Sequence, residues 1–273
     1  MNPVLKKILV ISLVISISLL VGFTVWVLWA NTALETTHYT VESANLPQSF
    51  DGLKIAQISD LHSTQFGTDN EKLLKLLRKA QPDLIAITGD LVDCVRNDPA
   101  IALAFAGEAV KIAPTYYVPG NHESRIPEIY ATLKTELRAL GVVVLENESV
   151  LWEKDGSAIT ITGLMDPDFR TSWPKSGAET YQVVLSHRPE LMDRYRALGF
   201  DLVLSGHVHG GQFRLPFVGG LFAPQQGFFP EYDAGVFTAG STNMVVSRGL
   251  GNSKFPLRFN NRPEVVVVTL ESV

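Results

Sequence analysis

The chain has 273 residues, 46% of them apolar and 19% charged, and a formal net charge of −5. That balance suits a folded domain with a sizeable core and excludes a disordered chain, and it gives no support for a nucleic-acid partner, which calls for clustered Lys and Arg. A single cysteine, Cys94, rules out an internal disulfide.

The first thirty residues stand apart. Residues 8–30 form an uncharged run of 23, mostly Leu, Ile and Val. As a helix rising about 1.5 Å per residue, such a run spans roughly 34 Å, enough for a bilayer core. Lys6 and Lys7 precede it, and Trp26 and Trp29 mark its far end, where interfacial indoles are favoured. The run is too long for the apolar core of a cleaved signal peptide, and Ala30-Asn31-Thr32-Ala33 is a poor cleavage site. Residues 1–30 are therefore expected to be an uncleaved, single-pass anchor in the cell membrane. The lysine flank predicts a cytoplasmic N-terminus and an extracytoplasmic domain.

Residues 31–52 read as a polar approach segment with an Asp51-Gly52 turn, leaving residues 53–273 as the folded domain. Apolar runs at 53–59, 84–88 and 116–118 read as strands. Helices are predicted over 69–80, with Asp69 as N-cap, and over 99–112. A further helix over 126–140 is closed by Gly141, a position suited to a left-handed cap. This β-α-β-α-β order predicts parallel strands. Beyond Val142 the strands shorten, with Asp155-Gly156 as a hairpin turn between 150–153 and 158–163. Strands at 183–185 and 202–204 bracket a helix over 190–198, and strands at 235–239, 244–247 and 265–270 follow. The expected fold class is α/β, a two-sheet β-sandwich flanked by helices and preceded by the apolar helix.

Five motifs sit just past strand ends: Asp60-Leu61-His62, Gly89-Asp90 with Asp93, Gly120-Asn121-His122-Glu123, Ser186-His187, and Gly206-His207-Val208-His209. They hold every histidine of the chain except His38. In an open α/β sheet the carboxyl ends of the strands share one edge, so these side chains are expected to meet in one crevice. Any one block alone is what turns and helix caps produce. Five in order, each ending an apolar strand, are not. Carboxylates, imidazoles and one amide oxygen without a thiolate suit Mn²⁺, Fe²⁺ or Zn²⁺. Calcium and magnesium sites usually lack imidazole. The layout is that of a two-metal hydrolytic centre.

These blocks resemble the calcineurin-like metallophosphoesterase superfamily, from residue 53 to about residue 270. Gly210-Gly211-Gln212, Ser247-Arg248-Gly249-Leu250-Gly251 and Arg262-Pro263-Glu264 are similar to its membrane-associated bacterial phosphodiesterase branch, which includes UDP-2,3-diacylglucosamine pyrophosphohydrolase-like enzymes of lipid A synthesis. The resemblance implies that Asp60, His62, Asp90 and His209 hold one divalent ion. It implies that Asp90 also bridges to a second, completed by Asn121, His187 and His207, with a metal-bridging hydroxide as nucleophile. His122 would stabilise the phosphoryl group or protonate the leaving oxygen, oriented by Asp93. The implied activity is hydrolysis of phosphodiester or pyrophosphate bonds in a lipid-linked or a soluble substrate. A metal-binding scaffold on the same fold is the alternative, and a nuclease is disfavoured by the acidic balance.

Two further features lie outside the motifs. Arg248, in its Gly-rich loop, is the arginine favoured as a phosphate contact ahead of Arg170, Arg188 and Arg214, because a guanidinium matches phosphate oxygens bidentately. Residues 212–230 carry Phe213, Phe217, Leu221, Phe222, Phe228 and Phe229 with almost no charge. They read either as an apolar lip that takes a lipid chain or rests on a bilayer, or as a hairpin filling the core.

Overall fold

Two six-stranded sheets carry the domain. The computed structural model describes residues 2–173, 179–253 and 255–273. The first sheet has the order β1 (Glu35–Ser43), β16 (Glu264–Ser272), β2 (Lys54–Ile58), β3 (Leu84–Thr88), β4 (Thr115–Val118), β5 (Val143–Val144). The second runs β14 (Gly235–Ala239), β15 (Thr242–Val246), β9 (Leu202–Ser205), β8 (Tyr181–Leu185), β7 (Ser157–Gly163), β6 (Ser149–Lys154). Two small hairpins stand outside both: β10 (Arg214–Leu215) with β11 (Gly219–Gly220), and β12 (Phe222–Ala223) with β13 (Gly227–Phe228).

The apolar runs become strands covered on both faces. In β3, Leu84 and Ala86 join Ile161, Val183 and Leu204 in the core between the sheets. Ile85 and Ile87 turn the other way, into a cluster with Leu77, Phe105 and Leu133. Those three come from α2 (Glu71–Ala80), α3 (Ala100–Ala109) and α5 (Pro127–Ala139). Burial on both sides is why β3 reads as a continuous apolar run instead of an alternating one. On the far side, α6 (Met192–Leu198) brings Met192 and Tyr195 against Val184, Val203 and Met244 of the second sheet. Each such aliphatic side chain contributes about 1.5–3 kcal/mol by leaving water.

Several expectations meet the structure directly. β2, β3, β4 and β5 are mutually parallel. Asp155 (φ 50°) and Gly156 (φ 77°) join the antiparallel β6 and β7 with both residues left-handed, the turn whose twist suits a hairpin. Gly141 takes φ 96° after α5. Asp69, expected as N-cap, does not cap: Asn70 precedes α2, and its Oδ1 accepts the Phe66 N–H at 2.9 Å. The segment 31–52 contains β1, paired in parallel along its length with β16, from Glu35↔Glu264 to Ser43↔Ser272. Its polar character is that of an edge strand, of which only Val41 is buried.

The apolar run forms α1 (Pro3–Ala30), long and apolar enough to cross a membrane. Its flanks are exposed, but its last turns are fastened to the domain. Phe23 and Trp26 pack on Phe259 at ring-centroid distances of 6.1 and 5.4 Å, and the Arg262 guanidinium lies 5.2 Å from the Trp29 ring. Asn31 donates from Nδ2 to the Arg258 carbonyl (3.0 Å) and accepts the Arg258 N–H at Oδ1 (2.7 Å). The helix is thus tied to the segment leading into β16.

Candidate metal centre

The five motifs follow β2, β3 and β4 of one sheet and β8 and β9 of the other, so both sheets supply the site. Asp60, His62, Asp90, Asn121, His187, His207 and His209 are all buried, none more than 8% exposed. Two groups converge within this set. His62 Nε2 lies 3.2 Å from His209 Nε2 and 3.7 Å from Asp60 Oδ1, and His209 Nε2 is 3.5 Å from Asp60 Oδ1. His187 Nε2 lies 3.2 Å from both Asp90 Oδ2 and His207 Nδ1. Asp90 Oδ2 is also 3.7 Å from His62 Nε2 and so stands between the groups. Asn121 Oδ1 is buried and has no hydrogen-bond partner among the described residues. Converging lone pairs and an orphaned amide oxygen fit a divalent cation with oxygen and nitrogen ligands.

The backbone there is strained. Asp60 (φ 53°), His62 (47°), Asp90 (51°), His207 (71°) and His209 (47°) all take left-handed conformations. For residues with a Cβ this costs on the order of 1 kcal/mol each, and such strain gathers at functional sites. Hydrogen bonds hold the rings in place. His187 Nδ1 lies 2.8 Å from the Thr88 carbonyl, which places the proton there and leaves Nε2 toward Asp90. The Gln225 amide sits 2.6 Å from His207 Nε2, leaving Nδ1 inward. Ser59 Oγ donates to Asp60 Oδ2 (2.6 Å), as does the His207 N–H (3.0 Å). Gly206 makes this approach possible by its missing side chain, since a Cβ would lie 1.8 Å from Ser59 Oγ.

The charges are strongly linked. Burial alone would favour neutral His62 and His187, yet the facing carboxylates outweigh it and raise them to about 9 and about 10. Burial likewise opposes ionisation of Asp60 and Asp90, but the histidines hold both carboxyls well below the usual range. His207 and His209 are pushed down to about 4 and about 3, first by burial. A divalent ion entering metal-stripped protein must therefore displace protons from His62 and His187. Affinity is expected to rise about tenfold per pH unit for each such proton, flattening above the pKa of about 9 for His62 and about 10 for His187. Calorimetry in buffers of different ionisation enthalpy counts the protons released.

His122, in α4 (Asn121–Ser124), is neutral because burial lowers it to about 4. Its Nδ1 accepts the Cys94 N–H at 3.0 Å, so Nε2 carries the proton, 3.1 Å from Ser253 Oγ. Asp93, expected to orient His122, stands beside that ring but does not take its proton. Asp93 Oδ1 accepts from the backbone N–H groups of Val95 and Arg96, and Oδ2 lies 3.4 Å from His62 Nδ1. Glu123 ties two motif loops together, accepting the N–H groups of Asp90 (3.1 Å), Val92 (3.0 Å) and Gly120 (2.8 Å).

Arg248 is not brought to the cluster. Its guanidinium pairs with Glu35 and Glu264, while the loop around it backs Asp60: Gly251 N–H donates to the Asp60 carbonyl at 2.7 Å. Arg188 and Arg214 are paired with Asp166 (2.6 Å) and Asp233 (2.9 Å). The arginine that does reach the cluster is Arg258, which the sequence does not single out. It is fully buried, and its Nη1 and Nη2 donate to the Arg248 and Gly251 carbonyls, each at 2.6 Å. Nη2 also lies 3.2 Å from His209 Nδ1. Arg258→Ala is expected to destabilise the protein by about 3 kcal/mol or more, through a cavity and stranded acceptors, read as a fall in melting temperature.

A cavity of about 430 Å³ opens beside the cluster, lined by Asn121 and His122 on one side and by Phe213, Leu221 and Phe222 on the other. Arg125 also lines it, and among the described residues its guanidinium has no ion-pair partner. Phe217, Phe228 and Phe229 project into solvent, at 109%, 70% and 61% exposure. Residues 212–230 therefore turn most of their aromatic rings outward as a lip, while Ala223 of β12 is fully buried in the core with Leu164 and Met244.

Residues 53–211 match the family described as Calcineurin-like phosphoesterase. The chain is 34% identical to an uncharacterised metallophosphoesterase of Bacillus subtilis (strain 168), YkuE, over 88% of this chain and 86% of that protein. It is 32% identical to the phosphodiesterase YaeI of Escherichia coli (strain K12), over 80% of this chain and 82% of that protein. A transmembrane protein with metallophosphoesterase domain from Bos taurus is 28% identical over 83% of this chain and 55% of its own length. The chain belongs to the calcineurin-like phosphoesterase family. It is a metallophosphoesterase, a hydrolase of phosphoesters.

Proposed function

We propose that this metallophosphoesterase is a membrane-anchored, dinuclear enzyme that hydrolyses phosphodiester or pyrophosphate bonds. The observation that carries the reading is Asp90 Oδ2, placed between two groups of converging acceptors, 3.2 Å from His187 Nε2 and 3.7 Å from His62 Nε2. Asp60, His62 and His209 would hold one ion, Asn121, His187 and His207 the other, and Asp90 both. Mn²⁺, Fe²⁺ or Zn²⁺ suit these donors. When bound, such a pair lowers the pKa of a shared water and clamps the attacking and leaving oxygens of an in-line displacement.

His122 supplies a neutral N–H donor at Nε2. With Nδ1 occupied by the Cys94 N–H, it stabilises a phosphoryl oxygen by hydrogen bonding and does not serve as a proton source. Arg125, on the cavity wall and without an ion-pair partner among the described residues, would receive a further anionic group of the substrate. The likeness to the phosphodiesterase YaeI supports a diester substrate, and the likeness to a transmembrane protein supports α1 as an anchor. Lys6 and Lys7 ahead of α1 favour an outward-facing domain.

The test is hydrolysis of bis-p-nitrophenyl phosphate by the full chain in detergent, stripped of metal and then given Mn²⁺. Metal-dependent turnover with two ions bound per chain is expected. Bound metal without turnover would replace the diesterase by a narrower pyrophosphate specificity, and no bound metal would leave a scaffold on this fold.

A further inference from the structure

We propose that the aromatic lip around β10–β13 is a second membrane contact, and that together with α1 it opens the catalytic cavity onto the bilayer. The substrate class is then a phosphoester amphiphile that is cleaved without leaving its leaflet. This rests on the phosphoesterase reading above.

Three observations lead there. The lip is apolar and exposed: Phe217, Phe228 and Phe229 are joined by Val218, itself 56% exposed. Among residues 212–230 the one charged side chain is Arg214, already paired with Asp233 at 2.9 Å, so moving the lip into an apolar medium strands no free charge. Contiguous apolar surface of this kind marks an interface.

The occupant is identified by continuity with α1. A ladder of rings runs from the apolar helix to the cavity: Phe23 and Trp26 pack on Phe259, Phe259 lies 6.3 Å from Phe213, and Phe213 lies 5.3 Å from Phe255. Phe213 and Phe255 line the cavity, as does Phe222, whose ring packs on Phe228 of the lip at 5.4 Å. Trp26 and Trp29 sit where indoles settle at a membrane interface. Trp26 packs on Phe259, and Phe259 is one ring removed from Phe213 on the cavity wall.

The polar end of the same cavity is Asn121, His122 and Arg125. A phosphoryl group against the first two leaves an attached chain to follow the aromatic wall toward α1 and the lip. Arg125 faces the headgroup. A cavity that offers both a cation and several aromatic rings matches an amphiphile, whose chain a small soluble diester lacks.

The full chain is placed in vesicles of phosphatidylethanolamine and phosphatidylglycerol with brominated acyl chains. Phe217→Trp and Phe228→Trp each add an indole whose emission is obtained by difference from the parent. Both added signals are expected to lose most of their intensity, while Leu151→Trp, on β6, keeps its own. Unquenched emission at positions 217 and 228 would overturn the bilayer contact. In the same vesicles, the Phe217→Ser/Phe228→Ser double variant is expected to hydrolyse bis-p-nitrophenyl phosphate as the parent does. On embedded hexadecyl p-nitrophenyl phosphate it should fall by about tenfold or more. Equal losses on both, or on neither, would overturn entry from the leaflet. If the parent cleaves neither diester, the diesterase reading and entry of a diester from the leaflet both fail, and the quenching still decides whether the lip enters the bilayer.

Discussion

Asp90→Asn is expected to release one of the two proposed ions and to lower diester turnover on the order of 10³-fold while the fold persists. The substitution is selective because the two carboxylate oxygens do different things. Oδ1 accepts the His122 N–H at 2.8 Å, and the amide oxygen of an asparagine keeps that bond. Oδ2 faces His187 and His62, and there an amide nitrogen presents hydrogens in place of lone pairs. The metal-free variant has a second signature. Asp90 is the main influence opposing burial at His187, so that imidazole is expected to fall from about 10 toward its ordinary range. Metal content, melting temperature and NMR titration of the imidazoles check the three parts. Retention of both ions would overturn the bridging role.

His122→Ala is expected to lower kcat by about 10²–10⁴-fold with both ions still bound. Removal of His122 takes away a donor at Nε2 and an acceptor for the Cys94 N–H, but no proposed ligand. His122→Gln, which restores an N–H near the same place, is expected to recover part of the loss. Because His122 titrates at about 4, the donor form persists above pH 5. The pH profile of the variant should therefore run parallel to that of the parent between about pH 5 and 9. An alkaline limb that disappears in the variant would show that His122 gives up its proton after all.

What the sequence conveys about this molecule follows from burial. β3 is covered on both faces, so its residues must be apolar throughout, and its position is plain from composition alone. β1 is an edge strand with only Val41 buried, and its polar residues disguise it; its Thr, Tyr and Val content was the available signal. The site divides in the same way. Asp, His and Asn recur at strand ends because the chemistry needs those donors, and the structure gathers all seven. Arg258 carries no such signal, because its partners are the Arg248 and Gly251 carbonyls, and any residue type supplies a carbonyl. Arg248 misleads for the opposite reason. Its loop resembles a phosphate cradle, but the carboxylates that claim it, Glu35 and Glu264, come from the paired strands β1 and β16. The left-handed backbone of five of the proposed ligands is equally invisible, since the neighbouring glycines hint at tight turns without saying which residue bears the strain.

The position of β16 between β1 and β2 has a consequence for how the protein is made. Synthesis delivers β1 and β2 early, yet neither can pair with its final neighbour on that side until residues 264–272 leave the ribosome. A nascent chain lacking them has an open, apolar sheet margin, the kind of surface that recruits chaperones and proteases. Asp60 and His62 likewise wait for His207 and His209. An interrupted chain therefore holds only part of the proposed ligand set on an unfinished sheet, so that completion of the sheet and completion of the site both depend on late strands.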